Sequence, residues 1–131
     1  MNDQEEGFVI DGISPDGKWL VVFEDNGEPA YLYLYSLTSS GDISGIVDHL
    51  WIYNQISPPI DECDQVSIVW SADSMKSIII VDGECWGMFD LLSMRKLTAP
   101  RDQNIIVTIP LEIWEEGIPS QLGETLGVLL H

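Results

Sequence analysis

Basic residues are nearly missing from this chain. Only 5 lysines and arginines stand against 22 aspartates and glutamates, a formal net charge of −17 over 131 residues. The field of such a chain repels phosphates instead of releasing their counterions, which excludes nucleic acid and anionic membrane as expected partners. The scarcity is also uneven, since Trp19 through Met75 holds nine acids and no lysine or arginine. Cysteine is limited to Cys63 and Cys85, widely spaced and without neighbouring histidines, so zinc-ligand and Cys-x-x-Cys redox spacings are both absent. The two thiols read as reduced small hydrophobes, with Cys63 held unreactive between Glu62 and Asp64. His49 and His131 are the only histidines. No Gly-x-Ser-x-Gly elbow accompanies them and no glycine-rich phosphate loop occurs, which removes the common hydrolase and nucleotide-binding signatures. No apolar run approaches the ~18 residues of a membrane span. The start, Met1-Asn2-Asp3-Gln4-Glu5-Glu6, carries acid where a secretory signal carries base. A cytoplasmic location is expected.

What the chain does hold is enough apolar material to fold. It is 45% hydrophobic, its mean hydropathy is +0.09 and it has five tryptophans, unlike charged disordered chains. A chain of this length buries roughly two-thirds of the surface its unfolded form exposes. The expected organisation is a frayed polar tail over residues 1–6 and a single domain over 7–131.

Strand signals dominate the pass along that domain. Phe8-Val9-Ile10-Asp11 is a short strand, followed by turn residues in Ser14-Pro15-Asp16-Gly17. Lys18 to Phe23 is a strand, and Asp25-Asn26-Gly27-Glu28-Pro29 turns it into Ala30 to Tyr35. In that partner strand Tyr31, Tyr33 and Tyr35 share one face and the leucines the other. The leucines take the core; the tyrosines present hydroxyls. Val66 to Trp70 is a further strand, and Lys76 to Val81, Asp82-Gly83-Glu84 and Cys85 to Asp90 form a second hairpin. Ile43, Ile46, Val47, Leu50, Trp51 and Asn54 recur at helical spacing behind Asp42, a candidate N-cap, and predict an amphipathic helix ended by Ser57-Pro58-Pro59. Met94 to Gln103 reads as a basic turn region, Ile105 to Ile109 as strand-like, Pro110 to Gly117 as a helical turn and Ser120 to Leu130 as a weak helix. The expected fold is therefore α+β, a mostly antiparallel sheet built from two similar hairpins with one amphipathic helix packed on a face.

The hairpins are alike in sequence. Ser14-Pro15-Asp16-Gly17-Lys18-Trp19-Leu20-Val21-Val22-Phe23 aligns with Ser71-Ala72-Asp73-Ser74-Met75-Lys76-Ser77-Ile78-Ile79-Ile80, an offset of 57 residues. This Ser-x-Asp-turn-strand pattern, over about a third of the chain, resembles blades of bacterial β-propeller repeats. Two copies fall short of the four or more blades of a propeller. A Ser-x-Asp turn is also a general way to launch a strand through side-chain-to-backbone hydrogen bonds. The order of Val21-Val22-Phe23-Glu24-Asp25-Asn26-Gly27-Glu28, the segment ending at Tyr53-Asn54, and Ile68-Val69-Trp70-Ser71-Ala72-Asp73 resembles a family of small, uncharacterised bacterial proteins. In size and acidity the chain is similar to immunity proteins of bacterial toxin systems, which bind and block a cognate toxin.

Abundant acid dilutes any catalytic reading of carboxylate pairs. Asp25-Asn26-Gly27-Glu28 lacks the loop of an EF-hand and fits a hairpin turn. No catalytic residue, metal or cofactor is expected, and the protein is read as non-enzymatic. Glu24, Asp25, Glu28, Asp48, Asp61, Glu62 and Asp64 are the candidate partner-binding residues. They are expected to form a negative face that steers a basic protein and accepts arginines. The leading expectation is an immunity-type inhibitor that occludes a basic toxin such as a nuclease. The competing one is an interaction or regulatory module acting through a sheet edge or a homodimer interface.

Overall fold

The computed structural model describes residues 7–26, 29–54, 56, 59–99, 101–102, 105–106 and 108–126, with 101–102 and 105–106 given by backbone alone. The tail over residues 1–6, part of the Asn26-Gly27-Glu28 turn and the end of the expected terminal helix lie outside these. Alternating apolar residues fold into two antiparallel sheets. The first runs β1 (Phe8–Ile13), β2 (Trp19–Asp25), β3 (Ala30–Leu37) and β4 (Ile43–Tyr53) in sequential order. The second contains β5 (Val66–Trp70), β6 (Lys76–Val81), β7 (Glu84–Asp90) and β8 (Arg95–Thr98). A short β11 (Glu124–Thr125) is added beyond β8, and β9 (Arg101–Asp102) and β10 (Ile105–Ile106) pair with each other. The protein is thus predominantly β, not α+β.

The correction centres on residues 43–54. The expected helix is instead β4, the 11-residue edge strand of the first sheet. Its pairing with β3 slips at Ala30/Tyr31, Leu34/Tyr35 and Ser36/Leu37. Each irregularity resets the two-residue alternation, so neighbours Val47 and Asp48, and again Ile52 and Tyr53, are both buried. Interrupted alternation imitates helical spacing. Ile43, Ile46, Val47, Trp51, Ile52 and Tyr53 are β-branched or aromatic, which favours a strand. Asp42 caps nothing: its backbone N–H donates to Thr38 Oγ1 at 3.1 Å and its carbonyl accepts from Thr38 N at 2.8 Å, closing the β3–β4 loop.

Among the described residues the only α-helix is α1 (Leu111–Glu116), where a helical turn was expected. The basic region after Met94 is β8 and β9 rather than a turn, and the described part of the expected terminal helix contains β11.

The repeated turns are built alike. In the first, Ser14 Oγ donates to Asp16 Oδ1 (2.7 Å) and accepts from Trp19 N (3.1 Å), while Lys18 N donates to Asp16 Oδ1 (3.0 Å). In the second, Ser71 Oγ donates to Asp73 Oδ1 (2.6 Å) and accepts from Lys76 N (3.0 Å), while Met75 N donates to Asp73 Oδ1 (3.0 Å). Both turns place a residue in the left-handed region, Gly17 at φ 75° and Ser74 at φ 64°. Glycine adopts this freely, whereas serine is uncommon there. The Ser74 hydroxyl accepts a hydrogen bond from Asp16 N at 2.9 Å, so the second turn holds the first.

The sheets stack with the same sense instead of as mirror partners. Val21, Phe23, Leu32 and Leu34 of the first sheet share a buried core with Ile79, Val81, Trp86 and Phe89 of the second. Under the 57-residue offset Val21 corresponds to Ile78 and Val22 to Ile79. Equivalent faces therefore point the same way. The face of the second sheet that carries Ile78 and Met88 packs with Ala99, Ile109, Ile118, Ile113 and Trp114, so the segment around α1 covers it. Close approach seals the join between the sheets: Trp70 Nε1 donates to Gly12 O at 3.0 Å, and a Cβ on Gly87 would lie 2.7 Å from Ile52 Cδ1.

Candidate functional site

Strand register places one group of acids at a single end of the sandwich. The Asp25↔Ala30, Ala30↔Tyr53, Val66↔Val81 and Val81↔Glu84 pairs all lie at one end. That end therefore carries Asp25, the β4–β5 connector with Asp61, Glu62 and Asp64, and the Asp82-Gly83 turn. Asp82 Oδ1 accepts from Gln65 N at 2.8 Å, and Asp82 N donates to Gln65 O at 2.8 Å, tying connector to turn. Asp61 and Glu62 sit on a single 3₁₀ turn anchored by buried Ile60, and both are exposed, as is Asp64. Burial and then the charges of Asp82, Asp64 and Asp61 push the Cys63 thiol pKa up, which keeps it protonated and unreactive. Lys18 and Lys76 belong to the opposite, Ser-x-Asp end, and Arg95 pairs with Asp90 across from Lys76.

The remaining expected site residues are placed differently. Asp48 is buried and its Oδ1 accepts from Lys96 Nζ at 2.9 Å, an ion pair linking β4 to β8. Lys96 also donates to His49 O at 2.9 Å. Asp25 accepts a short hydrogen bond from the Tyr53 hydroxyl. Glu28 lies outside the described residues. Glu24 is half-buried and points away from the core, onto the outer face of the first sheet.

That outer face is a grid the sequence only half disclosed. Val9, Glu24, Tyr31 and Trp51 form the row nearest the acidic end. Asp11, Val22, Tyr33 and His49 form the next, and Ile13, Leu20, Tyr35 and Ile46 the last. The tyrosine rings follow one another at centroid separations of 5.9 and 6.3 Å, and His49 meets Tyr31 edge-on at 5.8 Å. Val9, Ile13 and Ile46 are more than half exposed, and Trp51 is 38% exposed. Burial, then the Glu24 charge and the flanking tyrosines, raise the Tyr33 pKa, so its hydroxyl stays a neutral donor. The alternation in β3 announced the tyrosine face. The near-helical spacing of apolar residues in β4 hid Trp51 and His49 from it.

A groove of ≈780 Å³ beside the first Ser-x-Asp turn is lined by Trp19, Leu37, Thr38 and Ser39 among others. Its carboxylate, Asp16, is held by Ser14 and Lys18 N, which lowers its pKa. Among the described residues no group of three His, Cys, Asp or Glu side chains is placed to hold a metal ion. No helix among them is long and apolar enough to cross a membrane.

These features define a two-sheet β protein with an acidic end and an open aromatic face. Residues 4–101 match the family described as "uncharacterized protein conserved in bacteria" (DUF2251), and the chain belongs to that family. No curated protein and no solved structure matches it.

Proposed function

We propose that this is a non-enzymatic, cytoplasmic binding protein, an immunity-type inhibitor whose acidic surface occludes a basic toxin such as a nuclease. The observation that carries the reading is the gathering of acid, without a lysine or arginine beside it in the connector or the Asp82-Gly83 turn, at one end of the sandwich. Asp25, Asp61, Glu62, Asp64 and Asp82 gather at one end, whereas Lys18, Lys76 and Arg95 lie toward the other, where Asp16, Asp73 and Asp90 accompany them. The charge of Lys96 is offset by its ion pair with Asp48. A coherent negative region accelerates encounter with a basic protein and supplies carboxylates for arginine contacts.

The test asks first whether a neighbouring gene encodes a basic toxin, whose absence would count against the proposal, and then follows association with that toxin by stopped flow. Raising ionic strength from about 0.01 M to about 1 M contracts the Debye length from about 30 Å to about 3 Å, and the association rate should fall steeply. The triple variant Asp61→Asn, Glu62→Gln, Asp64→Asn should slow association at low salt. A rate indifferent to both changes rejects the proposal.

A further inference from the structure

Building on that reading, we infer that the open outer face of the first sheet, centred on Tyr31, Tyr33 and Glu24, is where an arginine-bearing segment of the basic partner docks. The internal repeat shows how unusual this face is within the molecule. Tyr33 pairs with Val22 as Gly87 pairs with Ile79, and Tyr35 pairs with Leu20 as Phe89 pairs with Ser77. In the second sheet those equivalent positions are buried against the first sheet. The other face of the second sheet is covered by the segment around α1. A face whose counterpart is closed by protein is left open here, and it carries large side chains where the closed one has a glycine.

Charge selects the occupant. The grid contains Asp11 and Glu24 but no lysine or arginine, and its Trp51–Tyr31–Glu24 row adjoins the acidic end. A second copy of this chain would bring the same negative charge, −17 formally, to the contact. Arginine fits both parts of the surface, because its planar guanidinium stacks on aromatic rings while forking onto a carboxylate. Lysine offers the same charge with poorer stacking. Tyrosine and tryptophan are also the side chains most often found to dominate interface energetics.

Deca-arginine and deca-lysine peptides serve as probes, titrated into the full chain and followed by NMR. Deca-arginine should bind about threefold or more tightly than deca-lysine, the margin expected of guanidinium–ring contacts. The largest shifts should fall on Tyr31, Tyr33 and the Trp51 indole N–H. The variant Tyr31→Thr, Tyr33→Thr should remove the arginine preference and weaken deca-arginine at least about tenfold. The pair Asp11→Asn, Glu24→Gln, which leaves the rings in place, should weaken both peptides while retaining that preference. Shifts confined to residues 61–64 with no preference for arginine overturn the docking face but leave the acidic-partner reading standing. Absence of binding by either peptide overturns both. A dimer in sedimentation that the tyrosine variant abolishes also overturns the docking face, by making it a self-interface.

Discussion

The first and second sheets grow from similar sequence and meet different fates. In each, a Ser-x-Asp turn of the same hydrogen-bonding plan joins the first strand to the second, and the chain continues as an antiparallel meander. The second is covered on both faces, by the first sheet and by the segment around α1. The first is covered on one. The composition of the strands follows the covering. Strands with both faces covered become continuously apolar, as in Ile78-Ile79-Ile80-Val81, whereas β3 keeps tyrosines toward solvent and leucines toward the core. Similar turns therefore fix where strands start and leave open what their faces meet.

The comparison breaks most visibly at equivalent positions Phe89 and Tyr35. Phe89→Ala should destabilise by about 3–5 kcal/mol, since a fully buried ring leaves a cavity, and Tyr35→Ala by about 1 kcal/mol or less, the scale of a cross-strand pair. Urea midpoints that shift equally would deny that the two faces differ. At the next pair, Gly87→Ala drives a methyl against Ile52 and should cost about 1–3 kcal/mol by overpacking, while Tyr33→Ala stays near 1 kcal/mol. Thermal unfolding of the two variants reads this contrast directly. Ser74→Ala removes the hydroxyl that holds Asp16 N and should cost about 1 kcal/mol. Because that bond joins the two turns, hydrogen exchange should rise at Asp16 as well as at residue 74.

Acid sharpens the likeness of the turns. Asp16 and Asp73 have pKa values lowered first by the serine hydroxyl, Ser14 or Ser71, and then by a backbone N–H. A depressed folded-state pKa means that the folded chain holds its proton less tightly than the unfolded one. The resulting stability is complete above the unfolded carboxylate value, about 3.9, and disappears as pH falls through the lower folded value. Asp16→Asn and Asp73→Asn should each flatten the loss of stability below about pH 4, to similar small extents, in acid titrations monitored by tryptophan fluorescence. The smallest effect belongs to Asp61→Asn, Glu62→Gln, Asp64→Asn, whose exposed side chains should leave stability within about 0.5 kcal/mol. A larger loss in denaturant titration would make the connector structural instead of a contact surface.

Legibility varied with the range of the interaction. β2, β3, β6 and β7 were readable because alternation and turn residues are local, and Asp82-Gly83, with φ of 51° and 86°, is a turn whose residues suit positive φ. β4 was not, because its irregularities against β3 shift which residues face inward, and a shifted two-residue period resembles a helical one. The acid in the connector was visible as composition. Asp48 was visible too, but its partner Lys96 lies 48 residues away, beyond any local pattern.

By itself the sequence determined the chain's negative charge, the two Ser-x-Asp turns and the alternation of tyrosine and leucine in β3, since each depends on residue type and near neighbours. Tertiary structure alone decided that both sheets stack in one sense, that Asp48 is drawn inside against Lys96, and that the tyrosine face stays open. Those outcomes depend on which apolar faces find one another, and residues around Ile109 to Ile118 pack on the second sheet.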